Sequence, residues 1–221
     1  MSPEQVYTGV LQYCVLLFSL VFHEFGHAWT ALRCGDPTAK MMGRVTLNPV
    51  AHTDPIGTLL IPIMMFIFAH IGGPLGAIPL LGWGKPTPVN PLRWRNKDVA
   101  NVMVSIAGIL ANLLIAIIAF VTFKILIVTD AGQRMAPSTQ EPVALFLIYT
   151  LIMNLSLAIF NLFPFPPLDG SKILDSILPA SMRPALEFLE QYGFIILILL
   201  ISLGVTGKIM RPVINFVFSL L

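Results

Sequence analysis

An uncharged, strongly apolar stretch runs from Val99 to Phe123, and it limits the possible folds more than any other feature. Twenty-five residues form a helix of about 38 Å, which is enough to cross a bilayer core about 30 Å thick. The stretch from Pro142 to Phe163 is also uncharged and long enough. Only 11% of the 221 residues are charged, against about a quarter in a soluble domain. An integral membrane protein is therefore predicted.

Further apolar blocks precede and follow these two, at residues 6–32, 56–81, 192–206 and 212–221. Residues 38–50 differ from them, because they mix β-branched and polar residues with a glycine and a proline, which favours a short strand or hairpin. We expect an all-α polytopic membrane protein with about five to six transmembrane or re-entrant helical segments and a short β-hairpin-like segment near residues 38–50. No internal repeat or soluble module is visible, so residues 1–221 are expected to form a single domain.

The distribution of basic residues predicts the orientation in the membrane. No Lys or Arg precedes the first block, so it is predicted to be a retained membrane helix with its N-terminus outside the cell. Loops 33–44 and 85–97 are basic, and both face the cytoplasm only if block 56–81 returns to the side on which it began. We therefore favour a re-entrant or paired segment there over a single crossing. A multi-pass protein of the plasma or inner membrane is expected, and the net charge of +2 gives no indication of nucleic-acid binding.

The first block contains the motif His-Glu-Phe-Gly-His at residues 23–27. On a helix, positions i and i+4 share one face, so His23 and His27 can bind one divalent metal. Glu24 then lies beside the metal, where it can act as a base toward a bound water. Two nitrogens and a carboxylate favour zinc. A buried Glu in a membrane helix costs at least about 2.5 kcal/mol, which argues against a chance occurrence.

A catalytic zinc usually has three protein ligands, so a third must come from elsewhere in the chain. The candidates in or beside the apolar blocks are His52, Asp54, His70 and Asp169. Asp169 follows a cluster of prolines that breaks the helix after the block ending at Phe163. The lengths of the blocks at 6–22 and 142–163 place His23 and this break at about the same depth, near the cytoplasmic edge.

These motifs resemble the site-2 protease family of intramembrane zinc metalloproteases, in its compact prokaryotic form without a PDZ domain or cystathionine-synthase-type domains. The resemblance rests on residues 23–27, on Asn-Leu-Phe-Pro at 161–164 and on Leu-Asp-Gly at 168–170, and it extends to the loop at 84–91. It implies that His23, His27 and Asp169 bind one Zn²⁺ and that Glu24 is the general base. Asn161 would help to hold the substrate. Residues 108–112 read Gly-Ile-Leu-Ala-Asn, where many members have Gly-Pro-x-x-Asn.

The expected activity is hydrolysis of peptide bonds in or near the transmembrane segments of membrane proteins. Such a substrate must unwind locally, and segment 38–50 is predicted to receive the extended chain by edge pairing. A polar opening to the cytoplasm would admit water. Two alternatives remain open, a metal transporter or metal-binding scaffold and a zinc hydrolase acting on lipidated or soluble peptides. Asn112 and Asn154 are predicted to form interhelical hydrogen bonds, and His70 is expected to pack. For His52 and Asp54, a role in shaping the cavity or in bonding to the ligands is the less favoured of the two interpretations.

Overall fold

The computed structural model describes residues 2–71 and 82–221. This part of the chain forms ten α-helices and no strand. A π-helical stretch, Pro55–Leu60, leads directly into the fourth helix. The helices are α1 (Pro3–Arg33), α2 (Thr38–Met41), α3 (Pro49–His52), α4 (Ile61–Ile71), α5 (Lys97–Val128), α6 (Asp130–Gln133), α7 (Pro137–Asn161), α8 (Asp169–Ile177), α9 (Arg183–Ser202) and α10 (Val205–Ser219).

Four of the described helices, α1, α5, α7 and α9, are long and apolar enough to cross a membrane. A shorter apolar helix covers Pro55–Phe68. The expectation of an all-α polytopic membrane protein is therefore confirmed. Helix α9 ends shortly before Gly204, whose φ of +69° allows the chain to turn into α10.

The predicted β-hairpin at residues 38–50 is wrong, because this segment contains the short helices α2 and α3 and no strand. Local capping explains the difference. The side chain of Asn48 accepts a hydrogen bond from the Val50 N–H at 3.1 Å, and Pro49 stands at the first position of α3, where proline is favoured. The Asp36 carboxylate accepts from the Thr38 N–H at the start of α2. These capping interactions outweigh a weak β-propensity that rests on few residues.

Helices α1, α5 and α7 form the centre of the bundle, and small residues bring them close together. Gly26 of α1 lies against the backbone of Ala107 and Gly108 in α5, where an added Cβ would stand 2.8 Å from the Ala107 carbonyl oxygen. Farther along α5, Ala116 and Ala119 pack against leucines of α7. Close approach through small residues is typical of helices packed within membranes. It fixes the register between α1 and α5 that the site requires.

Trp83, two residues after the apolar block 56–81, lies next to Gly57 and Thr58 near the start of that block. The Trp83 N–H donates to the Gly57 carbonyl at 3.2 Å, and the Thr58 hydroxyl donates to the Trp83 carbonyl at 2.8 Å. A single crossing of the membrane would separate these residues, so their contact favours the predicted return over a single crossing. Residues 72–81, on which the re-entrant prediction also falls, lie outside the described residues.

The two basic loops are held together on one side of the bundle. The Asn90 N–H donates to the Asp36 carboxylate at 2.6 Å, and the Arg95 N–H donates to the Cys34 carbonyl at 3.2 Å. Loops 33–44 and 85–97 therefore share one face, as their common charge predicted.

Candidate metal centre

Helix α1 supplies two histidines to a buried cluster near its C-terminal end. His23 and His27 are each only 6% exposed, and their spacing of four residues places both rings on the side of α1 that faces α5. The two Nε2 atoms lie 3.0 Å apart. The motif therefore forms the helical pair that its spacing predicted.

Asp169, the first residue of α8, completes the cluster. Its Oδ2 atom lies 3.1 Å from His23 Nε2 and 3.0 Å from His27 Nε2, and the residue is 3% exposed. The three residues offer ligand atoms that lie within 4.8 Å of one another. Of the four candidates for a third ligand, Asp169 is the one that joins the histidines in the described structure. The estimate that the two motifs meet at one depth is confirmed.

The outer nitrogens of both imidazoles face hydrogen-bond acceptors. His27 Nδ1 lies 2.6 Å from the Val104 carbonyl oxygen, and His23 Nδ1 lies 2.7 Å from Asn112 Oδ1. Because an oxygen acceptor requires a proton on the facing nitrogen, each ring is assigned as the Nδ1–H tautomer. The lone pairs of both Nε2 atoms therefore point toward Asp169 and toward each other, as metal ligands require.

This donor set fits a metal cation. Asp169 Oδ2 is buried and has no hydrogen-bond donor among the described residues, although two imidazole lone pairs face it. A cation between the three atoms would satisfy all of them at once. Asp169 would bind such a cation as the ionised carboxylate.

Gly108 lies directly against both imidazoles. A Cβ added at this position would stand 2.5 Å from His27 Nε2 and 2.7 Å from His23 Cε1. Any side chain here would push α5 away from α1 or displace the rings. The sequence motif at 108–112 signalled this position, but its role depends on the packing between the two helices.

Glu24 lies beside the cluster rather than within it. It is half-buried, and its Oε2 atom accepts a hydrogen bond from the Thr87 N–H at 2.8 Å. The Thr87 hydroxyl also donates to the Glu24 carbonyl at 3.0 Å. The loop at 84–91, which the sequence marked as a family feature, is thus fastened onto the residue expected to act as the base.

Sequence reasoning missed Lys172, which lies one turn after Asp169 in α8. Its Nζ atom is 2.9 Å from Asp169 Oδ1, and its side chain is about half exposed. The available signal was the spacing of three residues between an acid and a base at the start of a helix.

His52 and Asp54, two of the other candidates for the third ligand, lie outside the three-residue group, as does Asn161. His52 faces the Thr46 carbonyl through Nε2 at 2.8 Å, and Asp54 caps the π-helical stretch by accepting from the N–H groups of Ile56 and Gly57. The Asn161 amide donates to the Leu157 carbonyl one turn earlier in α7. The side chain of His70, with the packing role expected for it, lies outside the described residues.

Known proteins share this sequence over most of its length. The model of peptidase family M50 matches residues 12–203. The chain is 36% identical to "Putative zinc metalloprotease YwhC" of Bacillus subtilis over 200 residues, which cover 90% of this chain and 84% of that protein. It is 34% identical to "Putative zinc metalloprotease Rip2" of Mycolicibacterium smegmatis over 185 residues, 84% of this chain and 64% of that protein. No solved structure matches the chain.

Both the extent of the family match and the identity to the Bacillus protein exceed what chance similarity produces. The matched residues include all three members of the metal-binding group. The chain therefore belongs to peptidase family M50, the site-2 protease family.

Proposed function

We propose that this protein is an intramembrane zinc endopeptidase that hydrolyses peptide bonds in or near transmembrane segments of membrane-protein substrates. The observation that supports this most directly is the convergence of His23, His27 and Asp169 at the end of a membrane-spanning helix. In this proposal the three residues bind Zn²⁺. The relatives named as zinc metalloproteases support the choice of metal.

Glu24 is proposed as the general base. When bound, zinc supplies Lewis-acid chemistry, since it lowers the pKa of a water ligand and polarises a carbonyl. Glu24 follows His23 directly and is half-buried, so its carboxylate can take a proton beside the metal group. The hydrogen bond from the Thr87 N–H leaves Oε1 for this task. Asn161 is proposed to contact the substrate, since it ends α7 just before the proline segment.

Segment 83–90, rather than 38–50, is the proposed edge for an extended substrate. The N–H groups of Trp83, Lys85 and Thr87 all bond inward, to Gly57, His52 and Glu24. In an extended chain the alternate residues point the other way. Pro86 and Pro88 occupy those positions, so the outer edge offers carbonyl oxygens that an unwound substrate can meet with its own N–H groups.

The proposed orientation places the metal group near the cytoplasmic face of the cell membrane, with the N-terminus outside. The two basic loops that meet through Asp36 and Asn90 flank the C-terminal end of α1, which lies six residues after His27. Basic loops are retained on the cytoplasmic side. Water then reaches Glu24 from the cytoplasm.

The test is the substitution Glu24→Gln in purified protein reconstituted into vesicles with a membrane-spanning reporter. We expect the variant to bind zinc as the wild type does and to lose cleavage. Normal cleavage by the variant would overturn the mechanism. Zinc flux into the vesicles without proteolysis would instead support a transporter, and cleavage of soluble peptides alone would support a hydrolase of non-membrane substrates.

A further inference from the structure

The two histidines of the metal group are oriented by different kinds of partner. His27 Nδ1 faces the backbone carbonyl of Val104, which no substitution of a side chain removes. His23 Nδ1 faces the side chain of Asn112. An asparagine amide can be turned over, so His23 is oriented only if Asn112 is itself held in one orientation.

Two hydrogen bonds hold Asn112 in that orientation. Its amide nitrogen donates to the Ser19 carbonyl at 3.1 Å and to Asn154 Oδ1 at 2.9 Å. An asparagine nitrogen has two protons, and both are used. The amide oxygen is therefore the atom left to face His23, and it can only accept. The neutral His23 ring must then carry its proton on Nδ1 and present a lone pair at Nε2.

Asn154 is held in turn from a third helix. Its amide nitrogen donates to the Thr150 carbonyl at 2.9 Å, so its oxygen is directed at Asn112. A row of donors and acceptors thus runs from the backbone of α7 through Asn154 and Asn112 to His23 on α1. Each hydrogen bond in this row has a fixed donor and acceptor, because the Thr150 carbonyl at one end can only accept.

Burial makes this direction costly to reverse. Asn112 is 0% and Asn154 1% exposed, and both stand within helices that are apolar enough to cross the membrane. Turning either amide over would place an amide nitrogen against another donor and a carbonyl oxygen against a carbonyl oxygen. No water is needed to complete the row, because every amide atom in it has a protein partner.

We propose that Asn154 is a positioning residue for the metal centre, acting through Asn112 to fix the tautomer and ring orientation of His23. This role rests on the proposed function insofar as His23 is taken as a metal ligand. Partners of ligating histidines typically change metal affinity by about 10- to 100-fold when they are removed. Asn154 lies one residue farther from the metal than such partners usually do. It acts on His23 through the hydrogen bond that it accepts from Asn112, because that bond keeps the Asn112 oxygen turned toward His23.

The test compares zinc affinity in three variants of the purified full-length protein, by competition with a chelating dye. In Asn154→Leu, Asn112 loses one of the two acceptors that hold its nitrogen and one of its amide protons is left buried without a partner, so we expect zinc binding to weaken by about 10-fold or more. In Asn154→Asp, a carboxylic acid at this depth stays protonated, donates to the Thr150 carbonyl and accepts from Asn112, so affinity should stay close to that of the wild type.

Thr150→Val is the matched control, because it removes a buried hydroxyl on the same helix turn while leaving the carbonyl that Asn154 uses. It should bind zinc normally. Equal affinity in Asn154→Leu and wild type would overturn the proposal, as would an equal loss in Asn154→Leu and Thr150→Val. If the leucine variant fails to fold, Asn154→Ser, whose side chain is too short to bridge both partners, replaces it under the same criteria.

The visible spectrum of the cobalt-substituted protein provides a second readout. A rotated His23 changes the ligand field, so the Asn154→Leu spectrum should differ from that of the wild type, whereas Asn154→Asp should restore it. Neither measurement involves a substrate. A protein that binds zinc in an Asn154-dependent way but cleaves no membrane protein would refute the proposed function and leave this role intact.

Discussion

Lys172 and the two histidines contact different carboxylate oxygens of Asp169. Lys172 Nζ is 2.9 Å from Oδ1, while Oδ2 lies 3.1 Å from His23 Nε2 and 3.0 Å from His27 Nε2. Lys172 therefore holds Oδ1, whereas Oδ2 is the oxygen that would bind a metal shared with the two histidines.

Replacement of Lys172 by Met should impair catalysis more than zinc binding. Without the ammonium group, Asp169 Oδ1 would lose its contact with Lys172, and both carboxylate oxygens would then be available as metal ligands. We expect turnover of a membrane-bound reporter to fall by about 10-fold or more, with zinc still present. Lys172→Arg, which keeps the charge, should retain most of the activity.

Lys208→Met, which removes a lysine from α10, is the control for a general effect of lost charge. If Lys172→Met has the same turnover and the same cobalt spectrum as the wild type, the contact between Lys172 and Asp169 has no catalytic role.

Replacement of Gly108 by Ala should release the metal. The added methyl group would stand 2.5 Å from His27 Nε2 and 2.7 Å from His23 Cε1, distances that no packed carbon tolerates. We expect zinc content after dialysis to fall well below one ion per chain. Gly207→Ala is the matched control, because an added Cβ there has no neighbour within 4 Å. The control should keep its zinc and gain up to about 1 kcal/mol of helix stability.

The same residues show how far the sequence alone leads. The spacing of His23 and His27 follows from the helical repeat, and block lengths sufficed to place Asp169 at their depth. Gly108 and Asn112 were visible as a motif, but their contacts with the imidazoles depend on the register between α1 and α5. That register is set by close packing at Gly26, which leaves no periodic signal. The prediction of a hairpin at 38–50 was wrong because capping by Asp36 and Asn48 favours short helices in this segment.

The choice of Asp169 as third ligand predicts a contrast between two alanine variants. Asp169→Ala removes the only carboxylate oxygen that faces both imidazoles in the described structure, so the variant should lose its zinc. His52→Ala should retain it, because His52 faces the Thr46 carbonyl instead. Measuring the zinc content of the two purified proteins shows which of the two residues is required for zinc binding. Retention of zinc in Asp169→Ala would return His52 and Asp54 to consideration.

Asp36 should make the attachment of the loop at 84–91 sensitive to acid. Burial tends to raise the pKa of its carboxyl, but hydrogen bonds from Thr38 and Asn90 and the charge of Arg93 outweigh it, so the pKa lies below the usual value. A carboxyl with a lowered pKa stabilises the folded state fully above the pKa of the unfolded chain, about 4. The contribution is lost as the pH falls through the lower, folded pKa.

Hydrogen exchange at the Asn90 amide measures this attachment. At neutral pH, Asp36→Asn should lose protection at Asn90, because the amide then faces a weaker, neutral acceptor. The difference between variant and wild type should shrink as the pH falls below about 4. Asp175→Asn, which changes an acid on α8, should leave the Asn90 amide unaffected. Full protection of the Asn90 amide in Asp36→Asn would show that Asp36 does not anchor the loop.

The same loop carries Thr87 onto Glu24. Asp36→Asn should therefore also slow cleavage at neutral pH while zinc stays bound.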